Sequence, residues 1–213
     1  MKPIFITGIG TGVGKTIVSA MVTEALQADY WKPVQAGIED GTDALQVQHL
    51  ISNTTSVIHP EAFKLSMPAS PHIAARNEAV SITVDALIEA YENLPRNNPY
   101  LVIEGAGGLL VPLNEHEFLI DLITRLQADV ILVSRNYLGS INHSLLSAAM
   151  CRQQNIPVLG WMFNDQYLDY EKEIAGWSGY PVIGSIPFLE KTDQEEILKH
   201  ARRLRDNIMA CLT

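Results

Sequence analysis

The stretch Gly8-Ile9-Gly10-Thr11-Gly12-Val13-Gly14-Lys15-Thr16 constrains this chain more than any other. An apolar run, Pro3 to Ile6, precedes it, and a helical pattern, Ile17 to Leu26, follows. Strand, glycine loop and helix in that order form the context in which a backbone cradles phosphate. Glycines let the chain turn tightly and point successive N–H groups at an anion. The helix opening near Lys15 adds the positive end of its dipole. Lys15 would reach the β- and γ-phosphates of a nucleotide, and the Thr16 hydroxyl would bind Mg²⁺. The usual spacing would place a glycine at Ile9; here it stands at Gly8, so the loop is one residue longer. The alternative is a strand–helix turn that binds nothing, which makes Gly14-Lys15-Thr16 in this setting a coincidence.

Beyond the loop, apolar strand-like runs alternate with helical patterns. The strand candidates are Pro3–Thr7, Tyr30–Val34, Tyr100–Ile103, Val130–Ser134, Val158–Phe163 and Val182–Ile186. The helix candidates are Lys15–Gln27, Asp43–Ile51, Thr83–Asn93, Leu119–Gln127, Ser140–Gln154, Asp169–Trp177 and Gln194–Leu212. Continuously apolar strands such as Val130-Ile131-Leu132-Val133 suit a sheet buried on both faces. The expected class is α/β: a P-loop NTPase-like, mostly parallel sheet with helices on both faces. No repeat, low-complexity tract or linker interrupts the pattern, so residues 1–213 are read as a single domain. A hydrophobic share of 47% is enough for one sizeable core.

Composition narrows the partners. The net charge of −9 comes without a basic stripe, which argues against nucleic acid. No apolar run approaches a membrane span. Cys151 and Cys211 lie far apart and form neither a disulfide framework nor a metal-ligand spacing. The first residues run straight into the first strand with no signal peptide, so a cytoplasmic location is expected. The C-terminal helix carries Ile197, Leu198, Ala201, Leu204, Ile208 and Leu212 at helical spacing, beside Lys199, Arg202, Arg203 and Arg205. A membrane-surface helix is one reading. A helix packed on the sheet is favoured, because Asp193, Glu195, Glu196 and Asp206 dilute the positive charge.

In sheets of this kind ligands collect outside the carboxyl ends of the strands. The residues there are polar or glycine-rich: Lys32 to Gly37, Glu104 to Gly108, Asn136 to His143, Asn164-Asp165 and Pro187-Phe188-Leu189. Lys32, in an otherwise buried strand, has two open readings: an ammonium that offsets phosphate or carboxylate charge, or a snorkelling edge lysine. Glu104 ends an apolar strand before a glycine turn, where phosphate-loop proteins carry an acidic magnesium ligand. Asp43 could add a carboxylate, although by itself it reads as a helix N-terminal residue facing the dipole. His72, at a helix start, and His143 are read as structural.

Together these residues resemble the dethiobiotin synthetase family. The carriers are Gly8-x5-Gly14-Lys15-Thr16, Lys32-Pro33-Val34, Thr42-Asp43-Ala44, Ser70-Pro71-His72, Glu104-Gly105-Ala106-Gly107-Gly108, Leu138-Gly139-Ser140-Ile141-Asn142-His143, Asn164-Asp165 and Ile186-Pro187-Phe188-Leu189. They occur in the family's order over nearly the whole chain, and the longer glycine loop is the family's own form. The resemblance implies a homodimeric ligase that makes dethiobiotin from 7,8-diaminononanoate, CO₂ (or bicarbonate) and ATP, with Mg²⁺. Lys15 and Lys32 would be catalytic. Thr16, Asp43 and Glu104 would hold the metal. Gly12, Val13, Gly14, Lys15, Thr16 and Ile17 would contact ATP, as would Asp43 and Glu104, Gly105, Ala106 and Gly107. Asn164 and Asp165 would lie near the adenine with Pro187, Phe188 and Leu189. Thr11, Lys15 and Lys32 would face the diamine or its carbamate, with position 36 beside them, and Gly139, Ser140 and Asn142 would hold its carboxylate, across the dimer interface. Ala36 departs from the Ser or Thr common there, which puts that contact in doubt.

Two rivals share the fold. A regulatory ATPase of the partitioning type would carry an extra lysine where Gly10 stands. An amidoligase acting on cobyrinic acid would need further chain and a nucleophilic cysteine, and neither Cys151 nor Cys211 has that context.

Overall fold

A computed structural model describes residues 1–212. Its main sheet has seven strands in the order β4-β2-β6-β1-β7-β8-β9, and every ladder is parallel. The strands are β1 (Lys2–Gly8), β2 (Asp29–Trp31), β4 (Ile58–His59), β6 (Tyr100–Glu104), β7 (Asp129–Arg135), β8 (Val158–Asn164) and β9 (Val182–Ile186). A second, two-stranded parallel sheet joins β3 (Val34–Ala36) to β5 (Phe63–Leu65).

The sheet is covered on both faces, and the strand period explains how. Ile4 and Ile6 of β1, Val102 of β6 and Ile131 and Val133 of β7 point to one core. That core is closed by α1 (Lys15–Leu26), α2 (Asp43–Leu50) and α8 (Gln194–Leu212). Phe5, Leu101, Ile103, Val130 and Leu132, one residue out of phase, point to the other. There α3 (Pro71–Asn77), α4 (Val84–Glu92), α5 (Leu119–Leu126), α6 (Ser140–Gln153) and α7 (Tyr170–Ser178) close the layer. Near-continuous apolar strands therefore serve two cores at once, as sheet burial on both faces requires.

The expected helices are present with ends moved by a residue or two. Gln27 and Gln127 are left-handed C-caps at φ 49°, so α1 and α5 stop one residue before them. Thr83 is not the first helical residue of α4 but its N-cap, accepting the Ala86 N–H. One expected strand fails. Tyr30–Val34 is broken at Lys32-Pro33 into β2 and β3, which belong to different sheets. Pro33 lacks an N–H and pushes Lys32 away from helical geometry, so the ladder ends there and the chain turns to a new partner. On α8, Ile197, Ala201, Leu204 and Ile208 are buried in the core, so the packed reading holds. Among the described residues no helix is long and apolar enough to cross a membrane.

Candidate active site

The phosphate loop leaves β1 at the carboxyl edge and is pinned at its base. Ile9 N–H donates to Val133 O, and Gly105 N–H donates to Ile6 O beside it. Gly14, the N-cap of α1, has φ 89°, a left-handed conformation that a side chain resists. A Cβ there would collide with Asn164 Nδ2. That amide is itself fixed, donating to Val13 O at 2.6 Å. Gly14→Ala is therefore expected to weaken nucleotide binding by about ten- to a hundredfold, through strain of order 1–3 kcal/mol. Calorimetric titration with ATP checks this, and wild-type affinity would remove the loop from nucleotide binding.

Three hollows border the loop: two flank it, and a third, about 250 Å³, lies over Gly10–Val13 against Arg135, Asn136 and Tyr137. The larger, about 780 Å³, takes in Thr11, Lys15, Thr16, Lys32, Ala36 and Asp43, with Ala106 and Gly107 on its rim. The smaller, about 230 Å³, lies between Gly12–Gly14 and the ends of β8 and β9, against Asn164, Asp165, Pro187, Phe188 and Leu189. Ile17 borders both. Residues expected to meet a nucleotide base and residues expected to meet a diamine thus fall on opposite sides of one loop.

A charged cluster forms the floor of the larger hollow. Thr16 Oγ1 lies 3.0 Å from Asp43 Oδ1 and 3.0 Å from Glu104 Oε1. Lys32 Nζ lies 2.5 Å from Asp43 Oδ2 and donates to Glu104 Oε1 at 3.0 Å. Lys32 is only 4% exposed, which rules out the snorkelling reading. Asp43 follows the N-cap Thr42 but turns its carboxylate to Thr16 and Lys32, so more than the helix dipole fixes it. Gln35 holds it there, accepting the Asp43 N–H and donating to Gly37 O. Tyr30 OH donates to Glu104 Oε2 at 2.9 Å. Burial, and then Glu104, push that phenol well above its ordinary value, so it stays a donor.

Two carboxylates and two lysines balance in formal charge, but the lysines differ. Burial alone would lower Lys32, yet Glu104 and Asp43 more than reverse this and raise it, so Lys32 is a fixed cation. Burial, then the Lys32 charge, lower Lys15 to about 8. Asp43 is held below the carboxylate range: burial pushes up, and Lys32 outweighs it. The Thr16 hydroxyl has one hydrogen for two facing carboxylate oxygens. One close oxygen pair is therefore left without a proton between its atoms, a donor set that suits a small divalent cation.

Most of the expected site residues converge here. Gly105 contributes its carbonyl to Lys32 Nζ at 3.4 Å. Gly139, Ser140 and Asn142 line none of the three hollows, although Tyr137 just before them lines the third. Ser140 is buried, with its hydroxyl accepting the Tyr137 N–H, while Asn142 is exposed at the start of α6. Tyr30, Gln35 and Arg135 were not expected. Arg135 pairs with Asp165 at 2.5 Å on the wall of the smaller hollow. A polar tip on a buried aromatic was the available signal for Tyr30.

The chain matches known proteins along its length. A family model described as an AAA domain matches residues 2–196. An ATP-dependent dethiobiotin synthetase BioD of Cytophaga hutchinsonii is 49% identical, over 97% of this chain and 98% of that one. The counterpart in Christiangramia forsetii is 43% identical over 97% and 98%. Among solved structures, the cell division ATPase MinD of Pyrococcus furiosus superposes with a TM-score of 0.65 at 14% identity, covering 99% of both chains. A ParA family ATPase from Chlorobium tepidum gives 0.60 at 15% identity, covering 100% of this chain and 98% of the other. At such identities the structural likeness shows the fold alone. Sequence identity over nearly the full length decides the family: the chain belongs to the ATP-dependent dethiobiotin synthetases.

Proposed function

We propose that the chain closes the cyclic urea of dethiobiotin from 7,8-diaminononanoate, CO₂ and ATP, as a cytoplasmic homodimer that uses Mg²⁺. The observation that carries the reading is the Lys32–Asp43–Glu104–Thr16 cluster, with Lys32 and Glu104 buried, beneath a cavity that opens on the phosphate loop. A generic ATPase needs the loop, but not a second buried lysine facing a cavity that an acyclic diamine would fill.

One substrate amine takes up CO₂ as a carbamate. A carbamate oxygen attacks the γ-phosphate, giving a carbamic–phosphoric anhydride and ADP. The second amine then attacks the carbonyl carbon and phosphate leaves with the C–O electron pair. Such transfer depends on positioning and charge neutralisation. Lys15 neutralises the phosphates from the loop side, and Lys32 does so where carbamate and γ-phosphate meet. Thr16, Asp43 and Glu104 would hold magnesium, whose chemistry when bound is charge neutralisation at the phosphate oxygens. The apolar cleft at Pro187–Leu189 would take the adenine, with Asn164 beside it.

The dimer is supported by the Gly139–Asn142 segment. Its residues line none of the hollows of their own chain but follow closely on Tyr137, which walls the hollow over Gly10–Val13, so a partner's copy could reach the loop from that side. Beside it Leu138 is 77% exposed, and Leu146 on α6 is 62% exposed. The free thiols Cys151 and Cys211 fit a reducing compartment. The deciding assay follows ADP and dethiobiotin together. One ADP per dethiobiotin, dependent on diamine and bicarbonate, supports the reading; diamine-independent hydrolysis favours the regulatory ATPase instead. Glu104→Gln keeps the shape and removes one ligand charge. Its activity is expected to fall, with partial rescue at high Mg²⁺, and an unchanged Mg²⁺ dependence would exclude Glu104 as a ligand.

A further inference from the structure

The mechanism above leaves a proton without a destination, and it leaves Ser70-Pro71-His72 without a role. When the second amine attacks, its nitrogen becomes positive and must lose a proton before the urea is stable. The carboxylates of the floor are poorly placed to take it. Asp43 and Glu104 are bound to Lys32 and Thr16, and Lys32 holds Asp43 below the carboxylate range despite its burial. The Gln35 amide is engaged at both ends. The Thr16 hydroxyl faces Asp43 and Glu104, which leaves Thr11, Gln46 and Ser70 as the other neutral polar side chains of residues lining the cavity.

Ser70 differs from the other two in what stands behind it. It is the N-cap of α3, a position where serine ordinarily accepts a helix N–H with its hydroxyl. Here the side chain makes no such bond. Ser70 Oγ lies 3.0 Å from His72 Nδ1 instead. The capping is done by the backbone, with Ile73 N–H and Ala74 N–H donating to Ser70 O. His72 is anchored in turn by its N–H, which donates to Pro112 O. A serine of the cavity lining, with its hydroxyl released from capping and hydrogen-bonded to an imidazole, has the makings of a proton relay.

We propose that Ser70 and His72 form the relay that removes the proton of the ring-closing amine. This rests on the functional reading above. Ser70 Oγ accepts the proton of the attacking nitrogen and passes its own to His72 Nδ1, in the tautomer with hydrogen on Nε2. The new N–C bond forms as the C–O bond to phosphate breaks, phosphate leaves with that electron pair, and the proton reaches solvent from the imidazolium. Ser70 touches the substrate and is the catalytic residue; His72 acts through it and is a positioning residue.

Rapid-quench single turnovers with ATP, diamine and bicarbonate separate the two halves of the reaction. In Ser70→Ala and His72→Gln the burst of ADP is expected to persist, while ring closure slows about 100-fold. The stranded anhydride hydrolyses, so ADP formed per dethiobiotin rises above one. Ser70→Thr, which keeps the hydroxyl, is expected to stay coupled, and this guards against a general loss of fold. Wild-type ring closure with one ADP per product in Ser70→Ala overturns the relay. So does a parallel loss of burst and closure with a raised KM for the diamine, which would make Ser70 a plain contact. Wild-type enzyme that consumes ATP but forms no dethiobiotin overturns the functional reading itself, and the relay with it.

Discussion

Lys15→Ala is expected to lower dethiobiotin formation by about 1,000-fold, with nucleotide binding weakened alongside. Lys15 Nζ donates to Gly10 O at 2.9 Å and lines the larger hollow beside the loop. From there its charge meets the outer phosphates as the bond to the γ-phosphorus breaks. The loss is not expected to come from unfolding. Burial holds the Lys15 pKa at about 8, well under its ordinary 10.5, so the fold carries this cation against its preference. Removing it is expected to leave the melting temperature unchanged or raised. The sign of the pH effect follows from the same shift. As pH rises through 8 the ligand-free site loses the Lys15 charge; an arriving triphosphate restores it and draws in a proton. Wild-type ATP affinity is therefore expected to weaken above pH 8, with proton uptake visible in calorimetry across buffers of different ionisation enthalpy. Normal product formation by Lys15→Ala would sink the phosphate-loop assignment.

What could be read in the sequence, and what could not, follows one physical division. Local pattern is written in neighbouring residues, and it was legible. The two-core sheet shows in Ile4-Phe5-Ile6 and Val130-Ile131-Leu132-Val133, and the loop shows in its glycines. Partners distant in the chain were not legible. Tyr30 meets Glu104 across 74 positions, and Arg135 meets Asp165 across 30. Asp43 read by itself as a dipole-facing residue, because nothing local announces that Lys32 will stand against it. The short strands β4 and β5, two and three residues long, were missed because periodicity needs more length to show. The break at Lys32-Pro33 was signalled by the proline, but only the fold shows its use. It frees Lys32 from the sheet edge and turns it under the cavity.

That placement makes Lys32→Gln the sharper test. Lys32 separates a synthetase from a protein that only binds and hydrolyses ATP. In the second case its loss should change little beyond stability. In the first, its ammonium meets the carbamate and γ-phosphate where negative charge concentrates, and losing one preorganised donor costs about 100- to 1,000-fold in rate. ATP binding is expected to survive, because Lys15 and the loop N–H groups remain. Stability should fall as well. The Lys32 pKa is raised on folding, so its pairing stabilises the protein through neutral pH and is lost only as pH rises through that raised value. Without Lys32, Glu104 and Asp43 face each other across the site with only the more distant Lys15 charge to offset them. Removing one partner of a buried pair costs at the upper end about 3–5 kcal/mol. The lower figure is expected here, because the Asp43 side chain is 27% exposed and Tyr30 and Thr16 still bond Glu104. Added Mg²⁺ should recover part of the lost melting temperature by taking over those carboxylates, but not the lost rate, since the donor at the carbamate stays absent. A Lys32→Gln protein that forms dethiobiotin at the wild-type rate would place the diamine elsewhere. A melting temperature indifferent to Mg²⁺ would separate the two carboxylates from the metal.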